Sequence, residues 1–361
     1  MPKRSLALIC LPIVFAMAGC ATNAGGLVPS PLAQSGDRAA VESNGDHRGE
    51  PDAGSSIVEF KFASTGLNFL TPDFRGNEWF GAADPLAMVS INESTGAFSK
   101  HSLPASHSGP FGIAINAAHN VLWFTEPDSN AVAYMNLYND TVGAFAVPTN
   151  HAKPEGITAG PGTGIWFTEA RSGKIGKIDA VTQKFSEYKV PSPSKPYRIT
   201  LGPDGALWFT NLRSIGRIAT NGHVQIYPIG QNDPTGITTG PDGGVWFTGK
   251  SDHNGSLLGR IDPATHARKL YKYGSGDGGN EDVTVRDSDF WMTRQQGNRI
   301  DRFDHLTHII HSRRLPHGYS RPFGIALGAD DQLWFVNNGP ATTAIGKLCP
   351  DLPEEQCKTA L

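Results

Sequence analysis

Carboxylates, guanidinium groups and aromatic rings recur at two fixed places in this 361-residue chain. One place lies just ahead of a short apolar run and holds Phe111, Glu155, Tyr197, Arg198, Glu281, Asp282 and Phe323. The other follows a Trp–aliphatic or Trp–Phe pair by two residues and holds Glu126, Glu169, Asn211, Arg294 and Asn337, with Arg171 two residues further on. Aromatic rings beside charged groups suit a polar or amphipathic ligand. Glu155 with Glu169 is a two-carboxylate candidate for a hard cation, Mg²⁺ or Ca²⁺, which takes several oxygen ligands. Glu281 or Asp282 opposite Arg294 reads equally as an internal ion pair. The twelve histidines are scattered, and His305, His308 and His311 do not match a zinc-ligand spacing. The sequence contains neither a phosphate loop nor a Ser-His-Asp arrangement, so any cofactor is unassigned.

What must position these residues is a repeat. The seven tryptophans, Trp79, Trp123, Trp166, Trp208, Trp246, Trp291 and Trp334, recur every 38–45 residues. One aromatic strand per unit at a period near 40 is the mark of a β-propeller. The expected fold is all-β, with seven four-stranded blades over 56–348. Residues 195–211 show the unit: an inner strand at Ile199–Leu201, a two-residue turn at Asp204-Gly205, and a return strand at Leu207–Thr210. That turn sets Arg198 opposite Asn211, Gly156 opposite Glu169 and Gly324 opposite Asn337, gathering both sets of residues on one rim of the channel. Glycines on the inner strands fit the crowded centre. Residues 57–62 precede the first unit and read as a fourth strand for the last blade, closing the ring and removing its edge.

The ends of the chain carry other signals. A basic Met1-Pro2-Lys3-Arg4 and 13 apolar residues from Leu6 to Ala18 describe an export signal. That run is too short for a bilayer span of roughly 20 residues. Met17-Ala18-Gly19-Cys20 resembles a bacterial lipobox, which implies lipidation of Cys20 after removal of 1–19; an ordinary secretory signal is the alternative. Ala21 in place of Asp favours the outer membrane, facing the periplasm. Residues 20–55 are poor in apolar groups and read as a flexible tether reaching roughly 30–35 Å. Cys349 and Cys357 in the tail, 349–361, are expected to pair in an oxidising compartment, free thiols being the alternative. A net charge of −3 shows no basic footprint for nucleic acid, and the expected state is a monomer.

The repeat Pro-x-Gly-Ile-Thr-x-Gly-Pro-Asp-Gly-x-x-Trp-Phe-Thr-Glu, followed by Ile-Gly-[Lys/Arg]-Ile, resembles the streptogramin lyases (virginiamycin B lyase) over nearly the whole folded region. The resemblance implies a seven-bladed propeller and Mg²⁺-assisted elimination that opens a cyclic depsipeptide antibiotic. It also implies a histidine ahead of the inner-strand Gly or Ala in the last two blades. Those positions hold Glu281 and Phe323, and Arg321 and Asn337 stand where metal-binding carboxylates are implied, so no catalytic residue carries over. Three functions are therefore carried forward. These are a lipid-anchored propeller binding a small molecule or peptide at its rim, a divergent metal-assisted lyase, and a lactonase-like metal-dependent hydrolase.

Overall fold

The computed structural model describes residues 40–42, 56–64, 66–73, 75–116, 120–274, 276, 278–316, 321–339, 343–352 and 356–357. The export signal, Cys20 and most of the 20–55 stretch lie outside them. Ala39–Leu361 forms one compact unit. It consists of seven antiparallel blades of four strands, the fifth blade carrying one further strand on its outer edge.

The first blade runs Leu70–Pro72, Asn77–Ala82, Ala87–Asn92 and Phe98–Ser102. The third, Pro154–Ala159, Gly164–Glu169, Lys174–Asp179 and Phe185–Lys189, repeats it with longer inner pairing. The seventh takes three strands, Pro322–Leu327, Leu333–Asn338 and Thr343–Cys349, from the end of the chain. Its fourth, Ser56–Lys61, comes from the beginning and pairs antiparallel to Thr343–Cys349. The ring is thus closed by an N-terminal strand. A disulfide between Cys349 and Cys357 sits at this seam, where Ser56 pairs with Cys349. One element departs from the tether reading: the backbone of Ala40–Glu42 pairs in parallel with Lys269–Tyr271 on the outer edge of the fifth blade.

The repeat residues each have a packing reason. Trp and Phe of one strand face opposite sides, so Trp166 packs with Phe209 of the next blade and Trp208 with Phe247. Seven such clusters fill the seven interfaces between blades. The glycine of Ile-Gly-[Lys/Arg]-Ile makes room for the Phe ring: a Cβ at Gly216 would lie 2.0 Å from Phe209, and one at Gly176 2.1 Å from Phe167. The turn aspartate caps the Trp. Asp204 accepts from Trp208 Nε1 at 2.9 Å and from Arg217 Nε at 2.6 Å, and Asp242 repeats both bonds with Trp246 and Arg260.

The turn itself corrects the expected register. Gly205 alone takes a left-handed φ of 73°, its amide donates to Gly202, and the Gly202 amide donates to Ala206. The loop therefore spans three residues with a left-handed glycine, a common longer hairpin. Ile199 pairs with Phe209, so Arg198 faces Thr210 instead of Asn211. Bulges in the third and seventh blades then set Pro154 against Glu169 and Pro322 against Asn337, instead of Gly156 and Gly324. A slip of one residue sends a side chain to the other face.

Candidate functional site

That slip divides the candidate residues into two groups. Glu126, Glu169, Asn211, Arg294 and Asn337 turn into blades and loops. Glu126 binds His107 Nδ1 at 2.6 Å and Ser129 Oγ at 2.8 Å. Glu169 accepts from Ser172 Oγ at 2.7 Å; burial pushes its carboxyl up to about 7, partly offset by that hydrogen bond. Asn211 holds the Lys195 amide at 2.7 Å, and Asn337 donates to Glu59 at 2.9 Å. Arg294 pairs with Asp301 at 2.9 Å and with Ser312 at 2.8 Å, both on outer strands of its own blade. The expected pairing of Arg294 with Glu281 or Asp282 is therefore replaced by this one. Glu155 pairs instead with Lys153 Nζ at 2.7 Å, so the two carboxylates proposed for a cation take separate partners.

The residues at the start of the inner strands do converge. At the position where other blades carry glycine, three blades carry Phe69, Arg198 and Asp282. These belong to the first, fourth and sixth blades, which are not neighbours, so their contacts cross the centre of the ring. The Arg198 guanidinium lies 3.5 Å over the Phe69 ring and 3.9 Å from Asp282 Oδ1. Phe69 also meets Phe323 at 4.8 Å and Phe111 at 5.3 Å between ring centroids. Phe111 in turn lies 6.1 Å from Tyr197. Four rings and one ion pair thus plug the channel mouth, with Glu155 and Glu281 beside them on the same set of strands.

Elsewhere the centre admits only glycine: a Cβ at Gly112 would lie 2.1 Å from the Glu155 carbonyl, and one at Gly156 2.4 Å from that of Tyr197. The threonine of Trp-Phe-Thr, or of Trp-Met-Thr in the sixth blade, fixes the rim from the blade before. Thr125, Thr168, Thr210 and Thr293 donate at 2.5–2.9 Å to the carbonyls of Glu155, Tyr197, Thr235 and Phe323. Sequence reasoning missed both this belt and Phe69. The repeated Thr was the available signal for the first, and the missing glycine of the first blade for the second.

Electrostatics follow from burial. Asp282 is buried, and burial raises its carboxyl above the usual range while Arg198 and the Ile325 amide, at 3.2 Å, pull it back. Glu281 is raised by burial and by the Asp282 charge. Burial also raises the Tyr197 phenol, so it is a neutral donor at every physiological pH. Among the described residues no group of three or more His, Cys, Asp or Glu side chains is arranged to hold a metal ion.

Fold and rim together define a seven-bladed propeller of the streptogramin lyase architecture. A family model for the virginiamycin B lyase family matches residues 38–229 and 140–352, and the chain belongs to that family. Among solved structures it is similar to a streptogramin B lyase, at 29% identity and TM-score 0.76, covering 83% of this chain and 99% of that one. It is also similar to a catalytically inactive virginiamycin B lyase from Staphylococcus aureus with quinupristin, at 27% identity and TM-score 0.75, covering 81% and 99%. Hydrazine synthase of Kuenenia stuttgartiensis, at 13% identity, TM-score 0.65 and coverage of 79% and 96%, shares the fold alone. No curated protein sequence matches the chain.

The family's Mg²⁺ does not fit the residues present. A cation at the channel mouth would compete for Asp282 with the Arg198 guanidinium and for Glu155 with Lys153, and the two histidine positions hold Glu281 and Phe323. No imidazole base stands at either position.

Proposed function

We propose that this protein is a ligand-binding propeller of the virginiamycin B lyase family that holds an amphipathic small molecule or peptide at its channel mouth. The observation that carries this reading is the cluster of Phe69, Phe111, Tyr197 and Phe323 around the Arg198–Asp282 pair. Its rings offer apolar area that costs little conformational entropy to order, and Glu155 and Glu281 supply charge for orientation. Phe111, Tyr197 and Phe323 are part-exposed around a buried Phe69, and part-exposed rings beside charges are the composition of a binding site. A thermal-shift screen of aromatic peptides and cyclic depsipeptides tests it. Ligands should stabilise the wild type and lose that effect in Phe323→Ala and Tyr197→Ala. A screen with no stabilising ligand, or ligands indifferent to both substitutions, would count against it.

The family match favours a second reading, a divergent lyase in which carboxylates replace histidine. Metal-dependent opening of a depsipeptide, abolished by Glu281→Gln, would select it. A lactonase-like hydrolase would instead require an ion in the channel. The anchor is part of the proposal: the sequence supports export, lipidation at Cys20 and attachment to the periplasmic side of the outer membrane. Cys20→Ser should move the protein from membrane to soluble fractions, and retention on the membrane would refute the anchor.

A further inference from the structure

A second concavity opens on the loops that connect the second, third and fourth blades. It is a cleft of about 590 Å³ whose lining includes Asp128, His151, Lys153, Arg171 and Lys195. Three cations and a histidine meet one carboxylate, in a chain whose net charge is −3. Arg171 and Lys195 are exposed, and neither has an ion-pair partner among the described residues. Lys153 reaches Glu155 at 2.7 Å, which leaves its remaining donors for the cleft.

The loops that carry these charges are fixed. The amides of Ala170 and Arg171 donate to the carbonyls of Lys153 and Ala152 at 3.1 and 3.0 Å. The Ala152 amide donates to Asn130 Oδ1 at 2.8 Å, and the Lys195 amide to Asn211 Oδ1 at 2.7 Å. His151 and Lys153 both hold left-handed backbones, with φ of 54° and 56°. That conformation is unfavourable for side-chain-bearing residues and persists where surroundings enforce it. Like charges brought together by ordered loops repel one another, and an oxyanion relieves the repulsion while accepting charge-assisted hydrogen bonds.

We propose that this cleft binds a small molecule bearing an oxyanion, a phosphate or a carboxylate, held by Lys153, Arg171 and Lys195. The proposal does not rest on what the channel mouth holds, although the Lys153–Glu155 pair joins the two places. Isothermal titration of the mature protein at low ionic strength, with pyrophosphate and with citrate in separate arms, tests it and separates the two oxyanions. At least one anion should bind, and Arg171→Gln with Lys195→Gln should weaken it by about tenfold or more. Asp128→Asn should tighten it several-fold. Lys184→Gln with Lys189→Gln, which removes the same charge from an outer strand and the turn that enters it, should leave it unchanged. Failure of both anions to bind, binding that survives the Arg171/Lys195 pair, or equal loss in the outer-strand control would each overturn the proposal. So would binding to phosphatidylglycerol vesicles with neither free anion bound.

Discussion

Replacing Arg198 with methionine isolates the electrostatics of the channel mouth, because the substitute keeps apolar bulk over Phe69 and removes the charge. At 3.9 Å two unit charges attract by about 4 kcal/mol at an effective dielectric constant near 20. Folding the wild type strips hydration from the guanidinium, a cost the variant avoids, and that side chain is still 18% exposed against 8% for Asp282. Roughly half of the attraction should remain as net loss, about 2 kcal/mol at pH 8. The sign of the pH effect follows from the carboxyl. Its folded pKa is already raised by burial, so its ionisation costs stability as pH climbs above the unfolded value of about 3.9. Without Arg198 that cost grows. The gap between wild type and Arg198→Met should therefore be small at pH 4 and widen towards pH 8. Urea unfolding followed by tryptophan fluorescence at both values measures it, and Asp282→Asn added to Arg198→Met should recover most of the loss at pH 8. A gap of equal size at both pH values would refute the electrostatic account and leave Arg198 as packing alone.

Three further outcomes follow from the structure. Glu78 is fully buried with both carboxylate oxygens unpartnered, and burial, then Glu93, Asp330 and Asp73, raise its pKa well above the usual range. Glu78→Gln should therefore gain on the wild type between pH 4 and pH 8 by at least about 1 kcal/mol, the value of one pKa unit, read from urea midpoints. Deleting residues 56–61 removes the fourth strand of the seventh blade and should abolish soluble, cooperatively folding protein; a truncation that melts like the full chain would refute the closure. Cys349→Ser with Cys357→Ser opens an eight-residue separation beside that closure and should cost about 2–3 kcal/mol in urea unfolding.

The scaffold was legible because its signals are local and repeated. Trp208, Phe209 and Gly216 each answer to one packing need, and the same need recurs in blade after blade. The site was half legible, and the reason is strand register. Asp204-Gly205 reads as a two-residue hairpin, yet the loop takes in Pro203 as well. That extra residue moved Asn211 away from Arg198, and bulges in the third and seventh blades moved Glu169 and Asn337 away from Gly156 and Gly324. Arg294 likewise pairs with Asp301 because its side chain runs along its own blade. The convergence of Phe69, Arg198 and Asp282 could not be read from pairwise register, since no strand pairing links the first, fourth and sixth blades. It depends on the closed ring bringing distant blades within a side chain's length of one another.

A rim that lacks both implied histidines is expected to bind a depsipeptide without opening it. Incubating the mature protein with quinupristin and Mg²⁺, and following the depsipeptide by chromatography, tests that most directly. The depsipeptide ring should open no faster than in buffer, with Phe323→His as the comparison that restores an imidazole. Mg²⁺-dependent opening by the unaltered protein would contradict it.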